Sequence, residues 1–267
     1  MFVLSCCDAS AFAQDVGPVK GSLVIVGGGG MSKAISDRFI QLAGGKDARI
    51  AIVPTASSSV DDDDNRRALQ GWKDRGAANA FVLHTRNRDE ADSDAFVKQI
   101  DEATGIWFGG GRQWRIADAY LDTKSEQAFR RVLQRDGVIG GSSAGATIQG
   151  SYLARGDTSG PDIMMGDHTA GLGLLKNTAI DQHLLKRNRQ FDLLKVIETH
   201  PKLLGIGIDE ATAIVVKGDM FDVVGESYVA IYDHKNIDQR EPFYLLAPGQ
   251  RFDLKNRRIV SKRRRRK

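Results

Sequence analysis

The clearest chemical pattern in the sequence is Gly141-x-Ser143-x-Gly145, which follows an apolar run and precedes a stretch able to form a helix. This spacing is typical of the sharp strand-to-helix turn that exposes a nucleophilic serine. The turn needs small residues two positions before and after the serine, because it brings their backbones too close together for a Cβ atom. Ser142 has no glycine two residues on, so the pattern selects Ser143. The backbone N–H of Ala144 would then face the oxyanion formed in acyl transfer. The alternative interpretation is a small-residue turn that only packs against the sheet.

A serine hydroxyl is an effective nucleophile only when a base removes its proton, so the histidines are the next candidates. His183 lies at the end of the apolar run 178–180 and is followed by polar side chains. We therefore predict His183 as the base. His168, in a loop rich in glycine and aspartate, is the second choice, and His84, at a strand end, is the third. The remaining histidines are His200 and His234.

The glycine run 27–30 lacks the spacing of a nucleotide site. The third glycine of a Gly-x-Gly-x-x-Gly fingerprint would stand where the chain has Ser32 or Lys33, and no Gly-Lys-Ser/Thr triplet occurs. We interpret the run as a tight turn with room for a neighbouring backbone. Acyl transfer by a serine requires no metal or organic cofactor, and the sequence predicts none.

Short apolar runs alternate with segments of helical spacing in the first half of the chain. Near-continuous apolar strands separated by helices are typical of a parallel sheet covered on both faces. We therefore predict the α/β class, with a doubly wound, mainly parallel sheet and helices on both faces. Reactive groups in such sheets gather beyond the carboxyl ends of the strands. The predicted strands are 22–26, 48–53, 80–83, 105–108 and 137–139, and the helical segments include 34–42 and 96–100.

Beyond residue 203 the apolar runs follow one another closely, with turns between them. This spacing predicts antiparallel strands near the C-terminus that close the same domain. We see no linker or internal repeat, so we predict one catalytic α/β domain over residues 21–260, followed by a basic tail at 261–267. The late runs are 204–208, 213–216, 221–224 and 229–232.

Composition excludes several classes of protein. With 41% hydrophobic and 27% charged residues, the chain is neither disordered, collagen-like nor a coiled coil as a whole. The net charge is +4, but six positive charges lie in the hexamer 262–267, so the rest of the chain has a small acidic excess and no nucleic-acid partner is predicted. The two cysteines, Cys6 and Cys7, are neighbours, which excludes a disulfide framework. No apolar run approaches the ~20 residues that cross a bilayer, so no membrane span is predicted.

Residues 1–20 have some features of a worn or truncated signal peptide. Residues 2–4 are apolar, and residues 11–13 read Ala-Phe-Ala, the small-residue pattern of a cleavage site. A basic first region is missing, so a disordered start is the alternative. We expect an exported protein, periplasmic or extracellular, in preference to a cytoplasmic one.

Four segments together resemble the cyanophycinase family of serine peptidases, in the order in which that family has them. They are 108–113 (FGGGRQ), 138–146 (VIGGSSAGA), 180–189 (IDQHLLKRNR) and 204–213 (LGIGIDEATA). The resemblance implies a flavodoxin-like fold related to class I glutamine amidotransferases, usually as a homodimer. It also implies an exopeptidase that hydrolyses cyanophycin, a polyaspartate with arginine on each side chain, to β-Asp-Arg dipeptides.

The resemblance implies a role for individual residues of this chain. Ser143 is the expected nucleophile and His183 the expected base. The turn at Gly110 and Gly111 resembles the one that supplies a second oxyanion donor beside Ala144. The residues that match the substrate-binding pocket of the family are Gln113, Asp181, Gln182, Arg187 and Arg189.

Charged residues in these segments allow more than one role. Because Arg187 and Arg189 are two residues apart, we expect at most one of them to clamp a substrate carboxylate. Asp181, Asp209 and Glu210 could receive a substrate guanidinium. For Asp209 and Glu210, capping a sheet edge is an equally good interpretation.

The chain departs from the family pattern in two places. Phe191 and Asp192 stand where the family commonly has another arginine, so a positive charge is missing or reversed there. The acid that should orient the histidine has no unique motif. We predict Asp157, which follows the serine at about the expected interval, although Arg155 stands nearby where an acid is expected. The rival acids are Asp162 and Asp167.

Two other functions use the same cleft. An aspartyl or isoaspartyl dipeptidase would employ the same serine and histidine on shorter substrates. A non-catalytic relative would bind a peptide or amino acid without cleaving it.

Overall fold

The computed structural model describes residues 15–60, 62–235 and 241–260. The predicted basic tail, the two cysteines and most of the predicted signal-peptide remnant therefore lie outside the described residues. Within the described ranges, the helices are too short or too polar to cross a bilayer.

The described residues form fourteen strands and eight α-helices, with a 3₁₀ turn at Gly45–Asp47. The strands are β1 (Ser22–Val26), β2 (Ile50–Val53), β3 (Phe81–Val82), β4 (Gly105–Phe108), β5 (Val138–Ser142), β6 (Gly150–Tyr152), β7 (Leu175–Gln182), β8 (Leu204–Ile208), β9 (Thr212–Lys217), β10 (Met220–Gly225), β11 (Val229–Asp233), β12 (Tyr244–Leu246), β13 (Arg251–Asp253) and β14 (Arg258–Val260). The helices are α1 (Lys33–Leu42), α2 (Asp62–Asp74), α3 (Arg88–Ala91), α4 (Asp94–Glu102), α5 (Gln113–Tyr120), α6 (Lys124–Gln134), α7 (Ala144–Thr147) and α8 (Asp192–Thr199).

The first sheet has β1 at its centre. Its order among the described strands is β14-β13-β10-β9-β1-β5-β4-β2-β3. From β1 to β3 all neighbours are parallel, and from β1 to β14 all neighbours are antiparallel. The carboxyl ends of β1, β5, β4 and β2 therefore meet at one edge of the sheet.

Alternate side chains of β1 enter two different cores. Leu23 and Ile25 belong to one core, and Val24 and Val26 belong to the other. All five residues of β1 are buried, which explains why residues 23–26 form a continuous apolar run and do not alternate with polar residues.

Helices cover both faces of the parallel half. On one face, Phe39 of α1 and Trp72 of α2 pack around Trp107 of β4, with ring centroids 5.0 to 5.3 Å apart. On the other face, Phe129 of α6 packs edge-on against Phe108 of β4 at 5.1 Å. The predicted α/β class, with helices on both faces of the parallel strands, is confirmed.

A second sheet lies against the first, in the order β12-β11-β8-β7-β6. Ile206 and Ile208 of β8 join the core shared with the first sheet, whereas Tyr232 of β11 joins a smaller core with α8. Strands β7 and β8 are parallel, with Gln182 opposite Ile208. Residues that follow these two strands therefore emerge side by side.

The prediction of antiparallel strands near the C-terminus is confirmed for β9 and β10, which extend the first sheet. It is also confirmed for β8 and β11, which pair antiparallel in the second sheet; in addition, β8 pairs parallel with β7. The late strands are divided between the two sheets, a division that the spacing of apolar runs does not reveal.

The turn between β5 and α7 holds Ser143 at φ 57° and ψ −113°, a conformation that L-residues rarely adopt. A Cβ atom on Gly141 would lie 2.3 Å from the carbonyl oxygen of Gly145. A Cβ atom on Gly145 would lie 2.1 Å from the carbonyl oxygen of Phe108. Both glycines are therefore required by contacts with backbone atoms, which have little freedom to move.

Arg155 ties together three segments behind this turn. Its side chain is 2% exposed, and its Nε and Nη2 donate to the two carboxylate oxygens of Asp181 at 2.8 and 3.0 Å. Nη2 also contacts Asp192 at the start of α8, and Nη1 donates to the carbonyl of Pro161 at 3.1 Å. Since Asp181 is fully buried, its charge depends on this guanidinium for compensation.

We expect Gly145→Ala to destabilise the fold by about 1–3 kcal/mol, because the added methyl group meets the Phe108 backbone. Urea denaturation measures the loss. Gly160→Ala is the matched control, since its added Cβ has no heavy atom within 4 Å. Equal stabilities of the two variants would contradict the close approach at Gly145.

We expect Arg155→Met to reduce the free energy of unfolding by about 3–5 kcal/mol, because it leaves the Asp181 carboxylate buried and unpaired. The double variant Arg155→Met/Asp181→Asn should recover part of the loss, and Asp192→Asn, at a more exposed partner, should cost less. Urea unfolding curves compare the four proteins. A single Arg155 variant as stable as the wild type would show that the ion pair is dispensable.

Candidate active site

Ser143, His183 and Glu210 form a hydrogen-bonded line beyond the carboxyl ends of the strands. The Oγ of Ser143 lies 2.9 Å from Nε2 of His183, and Nδ1 of His183 lies 2.5 Å from Oε1 of Glu210. A proton on Nδ1, donated to the carboxylate, leaves the Nε2 lone pair free to accept from the serine hydroxyl. The arrangement has the nucleophile, the base and the orienting acid that acyl transfer requires.

The end of β1 positions all three side chains through its backbone. The carbonyl oxygen of Val26 accepts from the N–H of Ser143 at 3.1 Å, and that of Gly27 accepts from the N–H of His183 at 2.7 Å. The next carbonyl, of Gly28, accepts from the N–H that follows Glu210 at 3.0 Å. The three residues are thus fixed relative to one central strand.

The glycine run 27–30 makes room for the histidine and its acid. A Cβ atom on Gly28, which has φ 119°, would lie 2.2 Å from Cε1 of His183. A Cβ atom on Gly29 would lie 2.7 Å from Oε2 of Glu210. The sequence predicted space for a neighbouring backbone; the structure shows that two of these glycines make space for side chains of the site.

The environment of His183 favours the neutral imidazole. Burial lowers the pKa of His183 below its ordinary value of 6.5, and the positive charges of Arg187 and Arg189 act in the same direction. The hydrogen bond and the charge of Glu210 oppose this shift. A lowered pKa keeps the ring unprotonated, which is the form that removes a proton from serine.

Glu210 takes the place predicted for Asp157, and the prediction is corrected. The carboxylate of Asp157 accepts from the backbone N–H groups of Ser159 and Asp167 at 2.7 and 3.3 Å, away from the imidazole. Of the rivals, Asp162 is 90% exposed and Asp167 bonds to Thr158. The acid that contacts the imidazole, Glu210, follows β8, which ends beside β7 and the histidine because the two strands are parallel.

Knowledge of that strand direction would have identified the acid. Asp209 and Glu210 follow one apolar run and His183 closes another, and carboxyl ends of parallel neighbours share an edge. Asp209 caps this edge: it accepts from the N–H groups of Leu185 and Lys186 at 3.0 Å and from Ser227 at 2.6 Å.

Of the predicted oxyanion donors, Ala144 and Gly110 lie beside the serine. Ala144 begins α7, where first-turn N–H groups have no partner within the helix. A Cβ atom on Gly110 would lie 3.5 Å from Cβ of Ser143. Gly111, at φ 138°, is instead pressed against the carbonyl of Ala56, so Gly110 is the better placed of the pair.

Three of the predicted pocket residues are already occupied by contacts within the chain. Nε2 of Gln113 donates to the carbonyls at 154 and 155 at 2.7 and 2.8 Å. Asp181 is held by Arg155, and the amide oxygen of Gln182 accepts from Arg189 at 3.1 Å. These three side chains are therefore held by partners within the chain, and both oxygens of Asp181 accept from Arg155.

Arg187 differs from Arg189. Arg189 is buried against Gln182, whereas Arg187 is exposed and forms no ion pair within the described ranges. This contrast agrees with the expectation that at most one of the two clamps a substrate carboxylate.

The two departures from the family pattern meet in space. Asp192 stands in place of an expected arginine and Arg155 in place of an expected acid, and their side chains contact each other.

The two histidines ranked below His183 have other partners: His168 lies between Asp118 and Asp167 at 2.8 and 2.9 Å, and His84 bonds to Thr55 at 2.9 Å. Across the described residues, no group of three His, Cys, Asp or Glu side chains is arranged to hold a metal ion.

Two cyanophycinases are similar to this chain over most of its length. The cyanophycinase of Geminocystis herdmanii (strain PCC 6308) is 32% identical, over 89% of this chain and 95% of that protein. The cyanophycinase of Nostoc sp. (strain PCC 7120 / SAG 25.82 / UTEX 2576) is 30% identical, over 90% of this chain and 88% of that protein.

Solved structures show the same fold. The crystal structure of a peptidase from an acI-B1 Actinobacterium has a TM-score of 0.67 at 24% identity, covering 89% of this chain and 98% of that one. A putative peptidase E protein from Listeria monocytogenes EGD-e has a TM-score of 0.54 at 16% identity, covering 78% and 100%.

The sequence profile of peptidase family S51 matches residues 23–224, a span that begins at the central strand and includes the whole Ser143–His183–Glu210 line. The chain is therefore a member of peptidase family S51.

Proposed function

We propose that this peptidase is a serine exopeptidase that hydrolyses cyanophycin to β-Asp-Arg dipeptides through an acyl-enzyme. The observation that carries the reaction type is the line from Ser143 Oγ through the imidazole of His183 to Glu210. The substrate is supported by the cyanophycinases that share 30–32% identity over most of the chain.

Acylation begins when Nε2 of His183 takes the proton of Ser143 as Oγ bonds to the amide carbon. The carbonyl oxygen becomes an oxyanion, which accepts hydrogen bonds from the N–H groups of Ala144 and Gly110. The carboxylate of Glu210 stabilises the imidazolium. When the C–N bond breaks, Nε2 returns its proton to the leaving amine.

Deacylation repeats these steps with water. Water loses a proton to Nε2 of His183 while its oxygen bonds to the acyl carbon. The Oγ of Ser143 then leaves and recovers the proton, which restores the free enzyme and releases the acid product.

Substrate recognition includes Arg187, in our proposal. Its exposed guanidinium, on the loop that carries His183, offers the planar pair of donors that a carboxylate accepts. Asp181 is not proposed to bind a substrate guanidinium, since both of its oxygens already accept from Arg155.

The assembly and the compartment are further proposals. A homodimer rests on the family resemblance, and an exported location rests on the pattern in residues 1–20.

Incubation of the purified protein with insoluble cyanophycin tests the function. The wild type should clear the polymer and release β-Asp-Arg, whereas Ser143→Ala should lose about 10⁶-fold in kcat. Cleavage of β-Asp-Arg or Asp-X dipeptides alone would indicate a dipeptidase. No cleavage of any of these substrates by a folded protein would indicate a non-catalytic binder.

Glu210→Gln should lower kcat by about 10⁴-fold, because the imidazole loses the carboxylate that sets its tautomer and stabilises its cation. Since Glu210 raises the pKa of His183, its removal should also move the acidic limb of the kcat/KM profile to lower pH. Asp157→Asn is the matched control. It should leave kcat and the profile close to those of the wild type, and the reverse pattern would restore Asp157 as the orienting acid.

A further inference from the structure

Three arginines, Arg86, Arg112 and Arg115, converge on one turn beside the active site; we refer to them as the arginine cluster. Nη1 of Arg115 and the backbone N–H of Arg112 both donate to the carbonyl of Ala56, at 3.0 and 2.8 Å. Nη2 of Arg86 donates to the carbonyls on either side, at Thr55 and Ser57. The turn 55–57 therefore holds the guanidinium groups of Arg86 and Arg115 and, through a backbone hydrogen bond, places Arg112 beside them.

No carboxylate neutralises these charges within the part of the chain that the structure describes. The other contacts of the cluster are also with neutral groups: Nη2 of Arg112 donates to the backbone carbonyl of Asp157, and Arg115 lies over the ring of Trp114 at 5.1 Å. By contrast, Arg131 forms a bidentate pair with Asp101. Because no acid is paired with them, these three guanidinium groups can bind an anion.

Two N–H groups in and beside the cluster are also unpaired in the described residues. Nε of Arg112 and Nε1 of Trp114 are buried donors without a hydrogen-bond partner in the described residues. Burial, together with the positive charges of Arg86 and Arg112, lowers the pKa of Arg115. Since buried donors are nearly always paired, a missing acceptor is the simplest explanation.

The cluster adjoins the reacting serine through the glycine turn. Gly110 lies against Ser143, and the next glycine, Gly111, is pressed against Ala56, the same residue whose carbonyl the cluster shares. Arg112 follows directly. The cluster thus lies on the side of the proposed oxyanion donors, whereas Arg187 lies on the loop of His183.

We propose that the arginine cluster binds a free carboxylate of the peptide substrate next to the oxyanion side of Ser143. A carboxylate there would accept bidentate hydrogen bonds and relieve the repulsion among the three guanidinium groups. The inference rests on the proposed function, since each β-Asp-Arg unit of cyanophycin carries a free arginyl carboxylate. It assigns to this cluster a binding role that Arg187 alone would otherwise fill.

Calorimetry on the full chain carrying Ser143→Ala separates binding from hydrolysis. The probes are the trimer of β-Asp-Arg as the free acid and the same peptide with every arginyl carboxylate converted to an amide. We expect the acid to bind at least about tenfold more tightly than the amide, as a charge-assisted pair predicts. Arg86→Met and Arg115→Met, each added to Ser143→Ala, should reduce this preference at least about fivefold.

Two variants sharpen the result. Arg115→Lys keeps one charge without the planar fork, so its preference should be intermediate. Arg38→Met removes an exposed arginine that donates to Gln41 on α1, and should leave the preference unchanged. Circular dichroism and thermal unfolding establish that each variant is folded.

The outcomes separate this inference from the proposed function. Three results would overturn the inference, even if the wild type clears cyanophycin. They are an equal affinity of the Ser143→Ala protein for acid and amide, no binding of either, and a preference for the acid that the cluster variants retain. If the cluster variants lose the preference for the acid while the wild type does not cleave the polymer, the inference is supported and the proposed substrate is overturned.

Discussion

The carbonyl groups at the end of β1 are the constraint on which the site depends. Successive carbonyls of residues 26, 27 and 28 accept from the N–H groups of Ser143, His183 and Ala211. These segments come from two different sheets and lie far apart in the sequence. Because one extended backbone orders all three, the distances between nucleophile, base and acid are set by hydrogen-bond geometry and need no flexible side chain to define them.

The same constraint explains the glycines around the site. Segments that dock on one strand end approach so closely that side chains would collide, so glycine occupies positions 27, 28, 141 and 145. The strained serine at φ 57° is a further result of this crowding. Because several strand ends meet here, the backbone of the reacting serine is strained. The free energy gained by burying strands elsewhere in the fold offsets this strain.

The sequence predicted those parts of the protein that local patterns encode. The apolar runs located the strands of the parallel half, because both faces of these strands are buried. The spacing around Ser143 identified the turn, because steric contacts within five residues dictate it. The partner of His183 could not be found in this way, because the position of Glu210 depends on whether β8 runs parallel to β7. A short apolar run does not indicate the direction of its strand. Asp181 and Arg155 show the same limit: their charges are visible in the sequence, but their pairing is a long-range contact that only the fold defines.

Charge around the site is distributed unevenly: Asp181 is bound by Arg155, whereas Arg187 and the arginine cluster form no ion pair within the described ranges. The position of one aromatic residue among these arginines has a practical consequence. The chain has three tryptophans, and Trp72 of α2 meets Trp107 of β4 edge-on in the apolar core, where both are buried. Of the three, only Trp114 has a guanidinium over its ring, that of Arg115, so its indole emission should respond to a ligand that binds the arginine cluster, without any attached dye.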